Sequence, residues 1–252
     1  MTTQSFPTRP INQLTNRPIT MNLGGIQKSS LIDYPGKLSC VLFLSGCNFD
    51  CPYCHNPDLA KGCARCPEFE HEERLFSFLD RRRNFLDGVV ISGGEPTLQR
   101  DLEALCRRIK QMGYPVKLDT NGSRPEVLKR LLARELVDYV AMDVKTDPRC
   151  YAPTLCREKN PSAVLASIDL IMAEAPDYEF RTTCVRPLVD DEVIERIAAH
   201  IDGARLYALQ HFEDGCVMHP EYFVDPHSGF DAEDLQRLQH IAAPHVQRCI
   251  LR

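Results

Sequence analysis

Cys40-Val41-Leu42-Phe43-Leu44-Ser45-Gly46-Cys47-Asn48-Phe49-Asp50-Cys51-Pro52-Tyr53-Cys54 reads as a buried strand that runs straight into three thiols. An unbroken apolar run of β-forming residues, closed by Ser-Gly, is the pattern of a short buried strand ending in a loop. The cysteines fall in the spacing C-x3-C-x2-C. Iron, zinc and copper all accept thiolates, and iron–sulfur clusters are held by closely spaced cysteines. An electron-transfer 4Fe-4S cluster takes four thiolates. Three leave one iron open, and an open position is where a small molecule binds a metal. Taken alone, the loop also fits a zinc knuckle or buried cysteines.

Working outward, strand and helix patterns alternate. Gly88-Val89-Val90-Ile91-Ser92, Val116-Lys117-Leu118-Asp119, Tyr139-Val140-Ala141-Met142-Asp143, 178–185 and 205–210 read as further strands. Helical spacing is predicted over 72–83, 101–112, 125–134, 162–173 and 190–200 between them. Pro125 sits early in its helix, where a missing N–H does no harm. Six β/α steps with short connections imply a parallel sheet with right-handed crossovers, short of the eight that close a barrel. Before the cysteines, residues from Leu23 to Lys37 suggest a hairpin-like opening with a turn at Pro35-Gly36. Residues 1–21 read as a disordered polar tail, 22–215 as the core, and 216–252 as a C-terminal extension packed on it, with one helix over 231–242.

Function gathers at the C-terminal ends of parallel strands. Cys47 follows the first strand, Gly93-Gly94-Glu95 the second, Asp119-Thr120-Asn121 the third, and Asp143 and Lys145 the fourth. Four consecutive strands thus aim special residues at one mouth. Gly93 and Gly94 lack Cβ atoms, which lets backbone approach a ligand closely. Glu95 is not needed to make a turn. Asp119 and Asn121 are also placed to cap a helix. His55 and Asn56 are candidates to orient the cysteine loop. Arg181 and His211, at later strand ends, are further candidates for the mouth. Cys63 and Cys66 form a second C-x2-C, but two ligands do not close a metal site.

The chain has 252 residues, 43% hydrophobic, enough for one large α/β domain. A net charge of -5 argues against a surface built to grip nucleic acid. Twelve cysteines in so long a chain, with no signal-peptide pattern, favour a reducing cytoplasm over a disulfide scaffold. No apolar run reaches the length of a membrane span.

The cysteine spacing, with aromatic Tyr53 just before the third thiol, resembles the radical S-adenosylmethionine (SAM) superfamily. Cys54-His55-Asn56-Pro57, Ser92-Gly93-Gly94-Glu95-Pro96-Thr97, Asp119-Thr120-Asn121-Gly122 and Asp143-Val144-Lys145 narrow the likeness to glycyl-radical-enzyme activases. Among these, the chain most resembles the activating proteins of anaerobic ribonucleoside-triphosphate reductase, over roughly residues 22–212. The resemblance implies an open, partial (β/α)6 TIM-like barrel. It implies that Cys47, Cys51 and Cys54 each bind one iron of a 4Fe-4S cluster, with SAM chelating the open iron. It places Tyr53 against the adenine, Gly93, Gly94 and Glu95 at the methionyl amino group, and Lys145 near the SAM carboxylate. Asn121 belongs with these SAM-binding candidates, while Asp119, Thr120 and Asp143 would hold a monovalent cation near SAM. One electron then splits SAM, and the deoxyadenosyl radical removes a hydrogen from a glycine Cα of a partner reductase. A flavodoxin- or ferredoxin-like donor is implied, with neither nucleic acid nor membrane as partner. Two alternatives stand beside this reading: a radical SAM enzyme acting on pyruvate formate-lyase, another glycyl radical enzyme or a peptide, and a non-catalytic zinc-binding interaction module.

Overall fold

The computed structural model describes residues 19–69, 71–156, 161–213, 215, 217–223 and 228–252. The predicted tail therefore lies outside the described residues except for its last three. There, the backbone N–H groups of Ile19 and Thr20 donate to carboxylate oxygens of Glu72 and Asp101, both at 2.9 Å.

Eight strands form one sheet in sequence order: β1 (Leu23–Tyr34), β2 (Lys37–Leu44), β3 (Gly88–Gly93), β4 (Val116–Thr120), β5 (Tyr139–Asp143), β6 (Tyr178–Cys184), β7 (Tyr207–His211) and β8 (Cys249–Leu251). β1 and β2 are an antiparallel hairpin, and every later neighbour pairs in parallel. Pro35 and Gly36, the latter at φ 72°, make the turn between them. The β1–β2 register slips at three places. Among the described residues β8 does not pair with β1, so the sheet stays open.

Six helices fill the crossovers and flanks: α2 (Glu72–Arg81), α3 (Leu102–Gln111), α4 (Pro125–Ala133), α5 (Ser162–Glu174), α6 (Asp191–His200) and α7 (Ala232–Ala242). A four-residue helix, α1 (Pro57–Ala60), follows the cysteine loop directly. Parallel strands joined by crossover helices are the partial TIM-barrel architecture that the alternation predicts. The sheet reaches one strand further than expected. α7 and β8 lie beyond residue 215 and continue it, with β8 paired to β7. Three residues with only partial burial give β8 no periodicity to read.

The two-residue period of the strands sorts side chains into two layers. Cys40, Leu42, Leu44, Val89, Ile91, Val116, Leu118, Val140, Met142 and Phe180 belong to the large cluster packed with the helices. Tyr34, Val41, Val90, Tyr139 and Ala141 form a smaller cluster on the other face, inside the curved sheet. The same register puts Ser92, Lys117, Asp119, Asp143, Glu179, Arg181 and Thr183 on that inner side. Each lies an even number of residues from an inward neighbour on its own strand or pairs with one across the sheet. Burying them requires mutual pairing. Glu179, at 1% exposure, takes both guanidinium arms of Arg252, at 3.0 and 2.7 Å.

Ile91 is fully buried between the sheet and the helices. We expect Ile91→Ala to cost about 2–5 kcal/mol, read as a lower urea midpoint at unchanged slope.

Candidate active site

The C-terminal ends of β2 to β6 surround an open cleft of about 830 Å3. Cys47, Cys51, Cys54, Tyr53, His55 and Asn56 line one side. Gly93, Gly94, Asp119, Thr120, Asn121, Asp143 and Lys145 line the other, together with Arg181 and Thr183. The strand-end rule therefore gathers nearly every candidate at one place. Glu95 and His211 are not among the lining residues.

The cysteine loop is held by backbone hydrogen bonds to its neighbours. Gly46 N–H donates to Leu59 O at 2.7 Å, Cys47 N–H to Ala60 O at 2.9 Å, and Asp50 N–H to Leu155 O at 2.8 Å. On the β3 side, Gly94 N–H and Glu95 N–H donate to Leu44 O and Gly46 O, each at 2.8 Å. From the chain's last segment, His219 N–H donates to Pro52 O at 3.1 Å, and the imidazole Nε2 lies 3.1 Å from Asp50. Burial pushes the thiols of Cys47 and Cys51 up, that of Cys51 to about 12. Ligation to a metal would release those protons. Among the described residues, no three His, Cys, Asp or Glu side chains are arranged to hold a single metal ion. Thiols that each serve a different iron of a cubane need not converge on one point, whereas a zinc site requires it. Cys63 and Cys66 gain no further ligands among the described residues.

Two readings of the Gly-Gly-Glu segment change. Gly93, at φ 127°, and Gly94 are required first by the neighbouring strand end. A Cβ on Gly93 would land on Leu44 backbone, and one on Gly94 on the Gly46 carbonyl. Glu95 does shape a turn, because its carboxylate caps the short 3-10 helix over Pro96–Leu98 through Thr97 N–H at 3.0 Å. The same buried carboxylate accepts from both hydroxyls of Thr97 and Thr120, the latter at 2.8 Å, and from Asn121 N–H at 2.7 Å. Burial pushes this carboxyl up despite those hydrogen bonds. Glu95 thus welds the β3 loop to the β4 loop and has no oxygen turned to the cleft lining.

The charged floor is a network. Asp119 pairs with Lys117, lies 3.6 Å from Arg181, and accepts from Ser92 Oγ at 3.0 Å. Asp143 accepts from Arg181 Nε at 2.8 Å and from Lys145 Nζ at 3.3 Å. Burial alone would raise both carboxyls, but Arg181 with Lys117 or Lys145 holds them down, Asp143 at about 2. Burial likewise opposes the Lys145 charge, yet Tyr53 and Asp143 hold its pKa well above the ordinary value. Its ammonium sits 5.7 Å from the Tyr53 ring centre. The expected monovalent cation at Asp119, Thr120 and Asp143 meets a different arrangement: the Arg181 guanidinium already stands between the carboxylates, and Thr120 Oγ1 is committed to Glu95. At the cleft lining Arg181 and Lys145 face Asp119 and Asp143, while Lys117 lies buried behind them. The Tyr53 hydroxyl is buried at the cleft wall with no protein partner.

Sequence reasoning missed Lys117, Ser92 and Thr183. The signal for Lys117 was a lysine inside an apolar strand, two residues before an aspartate and so on its face. Among the described residues, no helix is long and apolar enough to cross a membrane.

The sequence profile of the radical SAM superfamily matches residues 41–202. A Methanocaldococcus jannaschii protein, provisionally named a glycyl-radical enzyme activating enzyme, is 39% identical over 240 residues, 91% of this chain and 95% of the relative. The pyruvate formate-lyase-activating enzyme of Staphylococcus aureus (strain USA300) is 36% identical over 105 residues, 40% of this chain and 41% of that one. Among solved structures, Streptococcus suis SuiB bound to the precursor peptide SuiA matches with a TM-score of 0.62 at 15% identity, covering 84% of this chain and 48% of SuiB. That last likeness is one of fold.

Gly94→Ala should push the added methyl into the Gly46 carbonyl beside Cys47. We expect at least a severalfold lower iron content after anaerobic reconstitution, with helical circular dichroism retained. Arg181→Gln should cost about 3 kcal/mol near neutral pH, because it removes the guanidinium between two buried carboxylates and leaves each with one lysine only. Asp143 has a folded value of about 2 against an ordinary 3.8, so its contribution is present above the ordinary value and lost as pH falls toward 2. The stability gap between wild type and R181Q should therefore shrink on going from pH 6 to about pH 3, which urea midpoints would measure.

Proposed function

Because the chain belongs to the radical SAM superfamily, and within it to the glycyl-radical-enzyme activases, we propose that it activates an anaerobic ribonucleoside-triphosphate reductase. The superfamily uses a 4Fe-4S cluster and SAM, and the cleft fits both. Three thiols sit at one wall without converging on a single-ion site. The Lys145 ammonium at the lining suits a ligand carboxylate.

In this reading Cys47, Cys51 and Cys54 hold three irons and leave the fourth open. When bound, the cluster and SAM supply one-electron cleavage of a carbon–sulfur bond. The chain's own residues bind and orient. Tyr53 packs beside the nucleotide, and Gly93 and Gly94 offer backbone to its amino acid part. Lys145, fixed by Asp143, neutralises the carboxylate. Arg181 keeps Asp119 and Asp143 ionised and immobile, so the floor need not reorganise during the reaction. Glu95 and Thr120 support this wall from behind. Core and extension, divided near residue 215, would share the work, the extension bracing the cysteine loop through His219.

The observation that carries the reading is the convergence of the cysteine loop and the three later strand-end motifs on one open cleft. The open sheet suits a polypeptide substrate, since a glycine-bearing loop must reach the mouth. The choice of the reductase rests on the ordered set of motifs across residues 22–212. The likeness to a pyruvate formate-lyase activase favours a second reading, in which that lyase is the target. A flavodoxin- or ferredoxin-like protein would deliver the electron, in the cytoplasm.

Anaerobic incubation of the reconstituted chain with SAM, a low-potential reductant and each target should produce a glycyl radical signal in electron paramagnetic resonance with the reductase. A signal with pyruvate formate-lyase alone would transfer the assignment to that target. Cys51→Ala should bind less iron and lose SAM cleavage to background; retained cleavage with a full cluster would defeat the assignment.

A further inference from the structure

Asn121 is 4% exposed and touches Cys47, which makes its side chain more than a lining group. The orientation of its amide follows from the backbone. Ser123 N–H, which can only donate, lies 3.0 Å from one terminal atom, so that atom is the oxygen. The amide nitrogen must then point the other way. Its two N–H bonds meet Asn48 Oδ1 at 3.1 Å and Cys47 Sγ at 3.9 Å. Asn48 is fixed in turn, because the donor-only Asn121 Nδ2 selects its oxygen, and its own Nδ2 and Oδ1 lie 3.0 and 3.3 Å from the Ser123 hydroxyl, which can accept from one or donate to the other. The result is a closed ring of polar contacts joining residues more than seventy positions apart. Cys47 also receives Phe49 N–H at 3.4 Å. Among the described residues, Cys51 and Cys54 have no such donor to sulfur.

We propose that Asn121 is a positioning residue for the cluster: its side-chain N–H, locked by Asn48 and Ser123, donates to the Cys47 sulfur and raises the cluster's reduction potential. Hydrogen bonds to cluster sulfurs are among the levers that set such potentials. A donor favours the form with more negative charge on sulfur, which is the reduced one. The donation is one-sided, so Cys47 is distinguished from the other two ligands. Asn121 thereby serves the cluster. This inference rests on the proposed 4Fe-4S assignment of the three cysteines.

The test uses the full chain, reconstituted anaerobically, with N121S as the principal variant. Serine can still accept from Ser123 N–H and keep the local turn, but is too short to reach Cys47. With iron content equal to wild type, N121S should show a lower midpoint potential and a severalfold smaller reduced fraction at a fixed low potential. N121D, isosteric but unable to donate, should shift the potential the same way. Wild-type protein carrying asparagine labelled with 15N only in the side-chain amide should show a nitrogen coupling to the reduced cluster in pulsed electron paramagnetic resonance. This last readout stands even where a variant does not fold. A wild-type midpoint in N121S, or no amide coupling in wild type, overturns the proposal while the cluster assignment survives. Wild-type protein that assembles no 4Fe-4S cluster defeats the underlying assignment instead.

Discussion

Arg181 holds the interior of this protein together. Its guanidinium lies between Asp119 and Asp143, on the inner side of a curved sheet where water is scarce. Two carboxylates side by side in such a place repel one another and resist ionisation. With the guanidinium between them, both stay charged, and each brings a lysine with it. The positions of Lys117 and Lys145 therefore depend on a residue from a different strand. The inner layer is made of charges rather than hydrocarbon, and it is stable because every charge has an opposite neighbour.

The cysteine loop is tied to its surroundings by protein groups. It exchanges backbone hydrogen bonds in four directions: with the end of α1, the β3 loop, Leu155 and His219. Phe49 adds an edge-on contact with Tyr151, centroids 5.6 Å apart. Contacts of this kind lower the ordering entropy that metal binding has to supply. Glu95 extends the scheme, since one buried carboxylate fixes two of the loops that face the thiols.

Much of this was readable in the chain. The apolar runs of β2 to β6 stand out, and the two-residue period that sorts their side chains follows from backbone geometry. The three cysteines and the strand-end motifs announced a common mouth. The cap that Glu95 makes to Thr97 is local and was passed over, whereas its bonds to Thr120 and Asn121 reach across twenty-five residues or more and leave no local trace. Arg181 and Lys117 were hard to weigh for the same reason. A single basic residue in a strand looks like an exposed edge until the facing aspartates are known. The glycines were recognised as special, but the crowding that requires them comes from the adjacent strand, which periodicity does not reveal. β8 escaped because three half-covered residues carry almost no pattern.

An open sheet leaves two margins, and unpaired strand margins invite other chains to zip on. β8 offers only three residues. β1 is long, but its pairing with β2 slips three times along its length, and Ser30 folds back through its hydroxyl onto Asp33. A margin broken in this way presents no straight row of amides for a foreign strand to copy. The sheet can thus stay unclosed with neither margin offering a long, straight ladder to a foreign strand.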